Sequence, residues 1–148
     1  MRVYYLDAGA LVKRYHEEPG SLFVATLLEA NHIVASSSLA PVETVAALAR
    51  KRKAKEITRR GLARKLRELD EDWEGFVEIR PAREVLEHAR SFARTRALRA
   101  ADAIHLASAV RLKGRLAQGD LLTIVASDEE LIAAANQERL EVIDLSTR

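Results

Sequence analysis

Residues Leu121–Leu145 read LLTIVASDEELIAAANQERLEVIDL, and the pattern of apolar residues changes twice along them. LLTIVAS (Leu121–Ser127) is continuously apolar and β-branched, as expected of a strand buried on both faces. DEELIAAANQER (Asp128–Arg139) is helical in pattern, and Ser127 with Glu130 has the spacing of a capping box at its start. LEVIDL (Leu140–Leu145) returns to a strand. Strand, helix and strand in this order point to an α/β architecture built on parallel pairing.

The same alternation extends back to the N-terminus. VYYL (Val3–Leu6) predicts a first strand, AGALVKRYH (Ala8–His16) a helix, and SLFVATLLEA (Ser21–Ala30) a second helix after Pro19-Gly20. HIVAS (His32–Ser36) predicts a second strand. Helices follow from about Leu39 to Lys53, with Pro41 tolerated in the first turn, and from about Lys55 to Asp72. GFVEI (Gly75–Ile79) predicts a third strand, PAREVLEHARSFARTR (Pro81–Arg96) a helix, and LRAADAIHLASAV a further helix ending near Gly114. No repeat, low-complexity tract or long linker interrupts this order. The expected fold is one domain over residues 1–148, a three-layer α/β/α sandwich with a central, mostly parallel sheet. Sites in such sheets lie beyond the carboxyl ends of the strands.

Composition narrows the chemistry. A chain of 148 residues, 48% apolar and 31% charged, is long enough for a real core under a densely charged surface. Without cysteine there is no disulfide, thiolate zinc site or cysteine nucleophile, which fits a reducing cytoplasm. No apolar run nears the ~18 residues of a membrane span, and MRVYYLD reads as a strand and not as a signal peptide. The net charge of +2 is unevenly spread: Arg50–Arg67 holds ten Lys or Arg against one acid, and Glu68–Glu78 holds six acids and no Lys or Arg. The basic run is either a polyanion contact or a solvated helix face.

Four acids stand at informative places. Asp7 follows the first strand, Asp128 follows LLTIVAS, Glu43 lies early in the helix after the second strand, and Asp102 opens the helix before LLTIVAS. In a parallel sandwich they gather near one edge of the sheet. Each also has a structural explanation: Asp7 as a helix cap, Asp128 and Asp102 as acids facing a helix dipole, Glu43 as an ion-pair partner. Capping does not require burial, however, and Glu43 and Asp102 sit among small apolar residues in LAPVETVAALA and RAADAIHLASA. Several ionised carboxylates in one cleft must protonate or take up a cation. With oxygen donors alone the natural cation is Mg²⁺ or Mn²⁺, which binds phosphate oxygens and suits attack on a phosphodiester. His105, three residues after Asp102, reads as a structural histidine in need of a polar partner, with metal ligation or general-base work as the alternative. Tyr4 and Tyr5 read as core residues, and the aromatic residues are too few for a base-stacking platform.

YYLDAGALVKRY, PVETVAAL, LRAADAIHLASA and IVASDEELIAAANQERLEVIDL together resemble the PIN-domain ribonucleases, and most closely the VapC-like toxins of toxin–antitoxin pairs. The resemblance covers nearly the whole chain, in order. It implies a Mg²⁺-dependent endoribonuclease, with Mn²⁺ possible, usually homodimeric and restrained by a small cognate antitoxin. It also implies that Asp7 and Asp102 hold the metal directly. Glu43 and Asp128 complete the cluster through waters or a second ion, and Ser127 helps orient the site. One departure is Gly9, where many relatives carry Ser or Thr two residues after the first acid; weakened or retuned activity is expected, with lower metal affinity as the symptom.

An acidic cleft repels RNA, so flanking cations must draw the backbone in. The candidates are Lys13 and Arg14, the Arg50–Arg67 run, and Arg94, Arg96 and Arg99; any of these is equally suited to an antitoxin segment. A non-catalytic RNA- or partner-binding module and a housekeeping RNA-processing nuclease remain alternatives. A phospho-acceptor receiver lacks its acidic pair and its acceptor on GFVEI, and a two-aspartate phosphatase lacks an Asp at position 9.

Overall fold

A computed structural model describes residues 1–148. The elements run β1 (Arg2–Leu6), α1 (Ala8–Val12), α2 (Ser21–Glu29), β2 (Ile33–Ser37), α3 (Leu39–Lys53), α4 (Arg59–Trp73), β3 (Val77–Ile79), α5 (Arg83–Arg96), α6 (Ala100–Arg115), β4 (Leu121–Ala126), α7 (Glu129–Gln137) and β5 (Glu141–Asp144), with a final 3₁₀ turn over Leu145–Thr147. The five strands form one sheet in the order β3-β2-β1-β4-β5, and every pairing is parallel. The expected three-layer α/β/α sandwich is therefore present, with a fully parallel sheet.

Side-chain alternation along the strands builds two cores. Val3 and Tyr5 of β1 and Leu122, Ile124 and Ala126 of β4 point to one face, where Val85 and Phe92 of α5, Leu106 of α6 and Leu131 of α7 cover them. Leu6 and Val125 point to the opposite face and meet Ala10, Val24, Leu27 and Leu145. A third cluster, Leu11, Tyr15, Ala40, Leu48 and Leu69, fastens α1, α3 and α4 together. β1 lies between β2 and β4, and the chain winds away from it in both directions. That reversal opens a crevice at the carboxyl ends of β1 and β4.

Three element ends differ from expectation. α1 stops at Val12, because Lys13, Arg14, Tyr15 and His16 turn to bring Lys13 and Tyr15 under cover. α4 starts at Arg59 and not near Lys55: Lys55 adopts a left-handed conformation (φ 64°), and Thr58 caps the helix by accepting a 2.9 Å bond from the Gly61 amide. At α7 the cap is Asp128, which accepts from the Leu131 amide at 2.9 Å, in place of Ser127. No helix is long and apolar enough to cross a membrane.

Candidate active site

Each acid lies on, or directly beside, a regular element. β1 ends at Leu6, so Asp7 is the first residue past the sheet; its Oδ1 accepts the Ala10 amide at 2.8 Å and caps α1. Glu43 lies in the second turn of α3, and Asp102 is the third residue of α6. Asp128 follows β4 by two residues and is fixed by its capping bond to α7. All four line one cavity of about 560 Å³, together with Gly9, Arg99, Ala101 and Ser127. The capping role anticipated for Asp7 is thus real, Asp128 takes the cap expected of Ser127, and both are compatible with the cavity: one oxygen of each caps a helix.

Burial and crowding set the electrostatics. Asp7 is 5% exposed. Its carboxyl is pushed up to about 6, first by loss of water, with repulsion from Asp102 and Glu43 adding to the rise and His105 and the Ala10 amide opposing it. Asp102 is also raised, by burial and then by Asp128, against the pull of Arg99. Arg99 supplies the compensating charge. Its Nε lies 3.2 Å from Asp102 Oδ2 and its Nη2 3.2 Å from Asp128 Oδ1, while the side chain stays largely exposed. As the side chains stand, no three His, Asp or Glu groups are gathered closely enough to enclose an ion. The donors nonetheless fit a hard divalent cation: they are all carboxylate oxygens, two have raised proton affinities, and the cation now on Asp102 and Asp128 is a solvent-exposed arginine.

His105 is the residue whose function the sequence left open. It is buried at 1% exposure, with Nε2 2.7 Å from Glu43 Oε1 and Nδ1 2.8 Å from the Tyr5 hydroxyl. Burial raises the Tyr5 hydroxyl far above its usual range, so it stays protonated; the Glu43 carboxylate oxygen accepts from His105 Nε2–H, and Nδ1 shares a hydrogen bond with the Tyr5 hydroxyl. A chain of hydrogen bonds thus runs from the sheet through α6 to the glutamate on α3. The sequence does carry this signal. Tyr5 precedes Asp7 by two residues of extended chain at the end of β1, and His105 follows Asp102 by about one helical turn, so each shares a face with an acid.

The flanking cations divide. Lys13 is 8% exposed and held by Glu18 at 3.1 Å. Arg14 is held by Asp72 and Glu29 at 3.3 and 3.0 Å, and Arg96 by Gln137 and Glu138. Of Lys13, Arg14, Arg96 and Arg99, only Arg99 lines the cavity; ion pairs commit the other three to the fold. Gly9 borders the cavity with space beside it. A Cβ there meets both Asp7 carboxylate oxygens at 3.6 Å and Ser127 Oγ at 3.8 Å, ordinary contact distances.

Comparison with known proteins finds relatives in sequence and in fold. The PIN domain family matches residues 4–137. Ribonuclease VapC45 of Mycobacterium tuberculosis strain CDC 1551 is 37% identical over 126 residues, 85% of this chain and 83% of its own. Ribonuclease VapC49 of strain H37Rv aligns with the same identity and coverage. PAE2754 from Pyrobaculum aerophilum shares the fold at a TM-score of 0.69 and 21% identity, over 99% of this chain and 94% of that one. The Rickettsia felis VapBC2 structure, bound to a promoter DNA fragment, does so at 0.61 and 14%, over 96% and 98%. Sequence match and fold together place this chain in the PIN-domain family.

Proposed function

We propose that this protein is a metal-dependent endoribonuclease that hydrolyses RNA phosphodiester bonds and acts as the toxin of a VapBC-type toxin–antitoxin pair. The observation that carries the reading is the convergence of Asp7, Glu43, Asp102 and Asp128 on one cavity at the sheet's topological reversal. The 37% identity to two ribonucleases supports the substrate class. Fold neighbours solved as toxin–antitoxin complexes, among them one from Klebsiella pneumoniae, support a small protein antitoxin as partner. Homodimerisation belongs to the same proposal and is measured by light scattering.

Asp7 and Asp102 would hold Mg²⁺ (or Mn²⁺), with Glu43 and Asp128 completing the shell directly or through water. The ion, when bound, supplies Lewis acidity toward the phosphate and makes water nucleophilic near neutral pH. The protein's part is placement. Capping bonds orient Asp7 and Asp128, and His105 orients Glu43 through Oε1. Arg99, which pairs with Asp102 and Asp128, would be available to a phosphate oxygen once an ion took over those carboxylates. Water would lose a proton as it adds to phosphorus, and the ribose 3′ oxygen would take one up as its bond to phosphorus breaks, giving 5′-phosphate and 3′-hydroxyl ends. Ser127 lines the cavity beside Asp7 and is placed to orient a water.

The test uses the full chain, a fluorescent RNA and Mg²⁺ or Mn²⁺, with and without EDTA. Cleavage should be chelator-sensitive and absent from Asp7→Asn and Asp102→Asn variants that retain the fold. Cleavage by either variant at the parental rate would refute the reading. The missing hydroxyl at Gly9 favours a second one, a non-catalytic RNA-binding module; it predicts binding without chelator-sensitive cutting.

A further inference from the structure

The net charge of +2 hides a strongly dipolar molecule. Arg50–Arg67, the end of α3 and the first half of α4, carries ten cations and one carboxylate. The other 130 residues carry fourteen cations and twenty-one carboxylates. Within the hairpin only two cations are engaged: Lys51 with Glu56 at 3.8 Å, and Lys65 with the Tyr15 carbonyl. The remaining eight, Arg50, Lys53, Lys55, Arg59 and Arg60 among them, form no ion pair.

Fold stability accounts for only part of this cluster. Cations in the last turn of α3 complement the helix dipole, but Arg59 and Arg60 open α4, where the dipole favours acids and none is present. Placement relative to the cleft supplies the rest. Glu43 and Arg50 share one face of α3, because seven residues return to within about 20° of the same direction while rising about 10 Å. A strand leaving the acidic cavity along α3 meets Arg50 and then the hairpin tip.

We infer that the α3–α4 hairpin is the docking surface for the RNA backbone: the hairpin supplies affinity and the carboxylate cavity supplies cutting. The inference rests on RNA being the ligand of the proposed nuclease. Its test measures binding of a labelled 15-nucleotide RNA by anisotropy, in EDTA, from 50 to 300 mM salt. The variant is R50Q/K53Q/R59Q/R60Q, all exposed positions. Its affinity should fall at least tenfold at 100 mM salt. The slope of log K against log salt should shrink by roughly 3, about 0.7 per lost phosphate contact on a single strand. A control variant removing the exposed Arg80, Arg83, Arg90 and Arg115 should keep parental affinity. Circular dichroism checks that both fold.

Parental affinity in the hairpin variant, or an equal loss in the control, would overturn the inference. Loss of poly(glutamate) binding with RNA binding intact would likewise overturn it and assign the hairpin to an acidic protein. Cleavage is scored separately. Hairpin-dependent RNA binding without any Mn²⁺-dependent cutting sinks the nuclease and keeps the docking surface; cutting with hairpin-independent binding does the reverse.

Discussion

Replacing Asp7 with Asn should make the metal-free protein more stable, even though it removes a proposed metal ligand. Asp7 is buried, and its carboxyl titrates at about 6 in the fold against 3.8 as a free side chain. The folded state therefore binds more protons than the unfolded state between about pH 4 and pH 6, and stability falls as pH rises through that window. Above it the whole cost is present. Roughly two pK units correspond to about 3 kcal/mol. Asn accepts the Ala10 amide as well as Asp does, so the cap survives. A buried amide with unmet donors takes back part of the gain. The expected advantage of Asp7→Asn at pH 7 in EDTA is about 1–3 kcal/mol, several degrees in Tm for a chain of this size. Urea unfolding of both proteins from pH 4 to pH 8 reads it directly, and the two curves should converge at pH 4. Adding Mg²⁺ to 100 times its Kd should stabilise the parent alone, by about 2.7 kcal/mol. A variant no more stable than the parent at pH 7, or an advantage that persists at pH 4, would refute the reasoning.

Other perturbations separate the remaining parts of the site. If His105 acts by holding Glu43, His105→Asn and Glu43→Gln should be non-additive in metal affinity measured by calorimetry, with a coupling of about 0.5–3 kcal/mol; full additivity would make His105 a core residue only. Asp128→Asn should keep the α7 cap and stability while losing cleavage, whereas Asp128→Ala should lose about 1 kcal/mol as well, both followed by thermal melts. Gly9→Ser fits beside Asp7 without a clash and improves helix propensity, so a gain of about 0.5 kcal/mol is expected together with tighter Mn²⁺ binding. Weaker Mn²⁺ binding by that variant would show that the hydroxyl is unwelcome here.

The sheet was legible because its strands are short apolar runs bounded by capping or turn residues. LLTIVAS became β4 with five of its six residues buried, and Asp7 and Asp128 fell at strand ends, where a parallel fold leaves its crevice. Local turns were less legible. Lys55 ends α3 in a left-handed conformation that nothing in KRKAKEIT announces, and Asp128 displaced Ser127 as cap although both residue types are competent caps. Long-range side-chain contacts were not legible at all. The pairing of His105 with Glu43 spans 62 positions, and the pairs that withdraw Arg14 and Arg96 from the cleft span 58 and 42.

β1 is the first strand of the chain and the middle strand of the sheet, flanked by β2 and by β4, whose pairing with it begins at Leu121. While the ribosome is still making the N-terminal two-thirds, β1 lacks a neighbour on one side, and neither Asp102 nor Asp128 has a place to sit. The carboxylate cavity consequently takes shape only when translation is nearly finished.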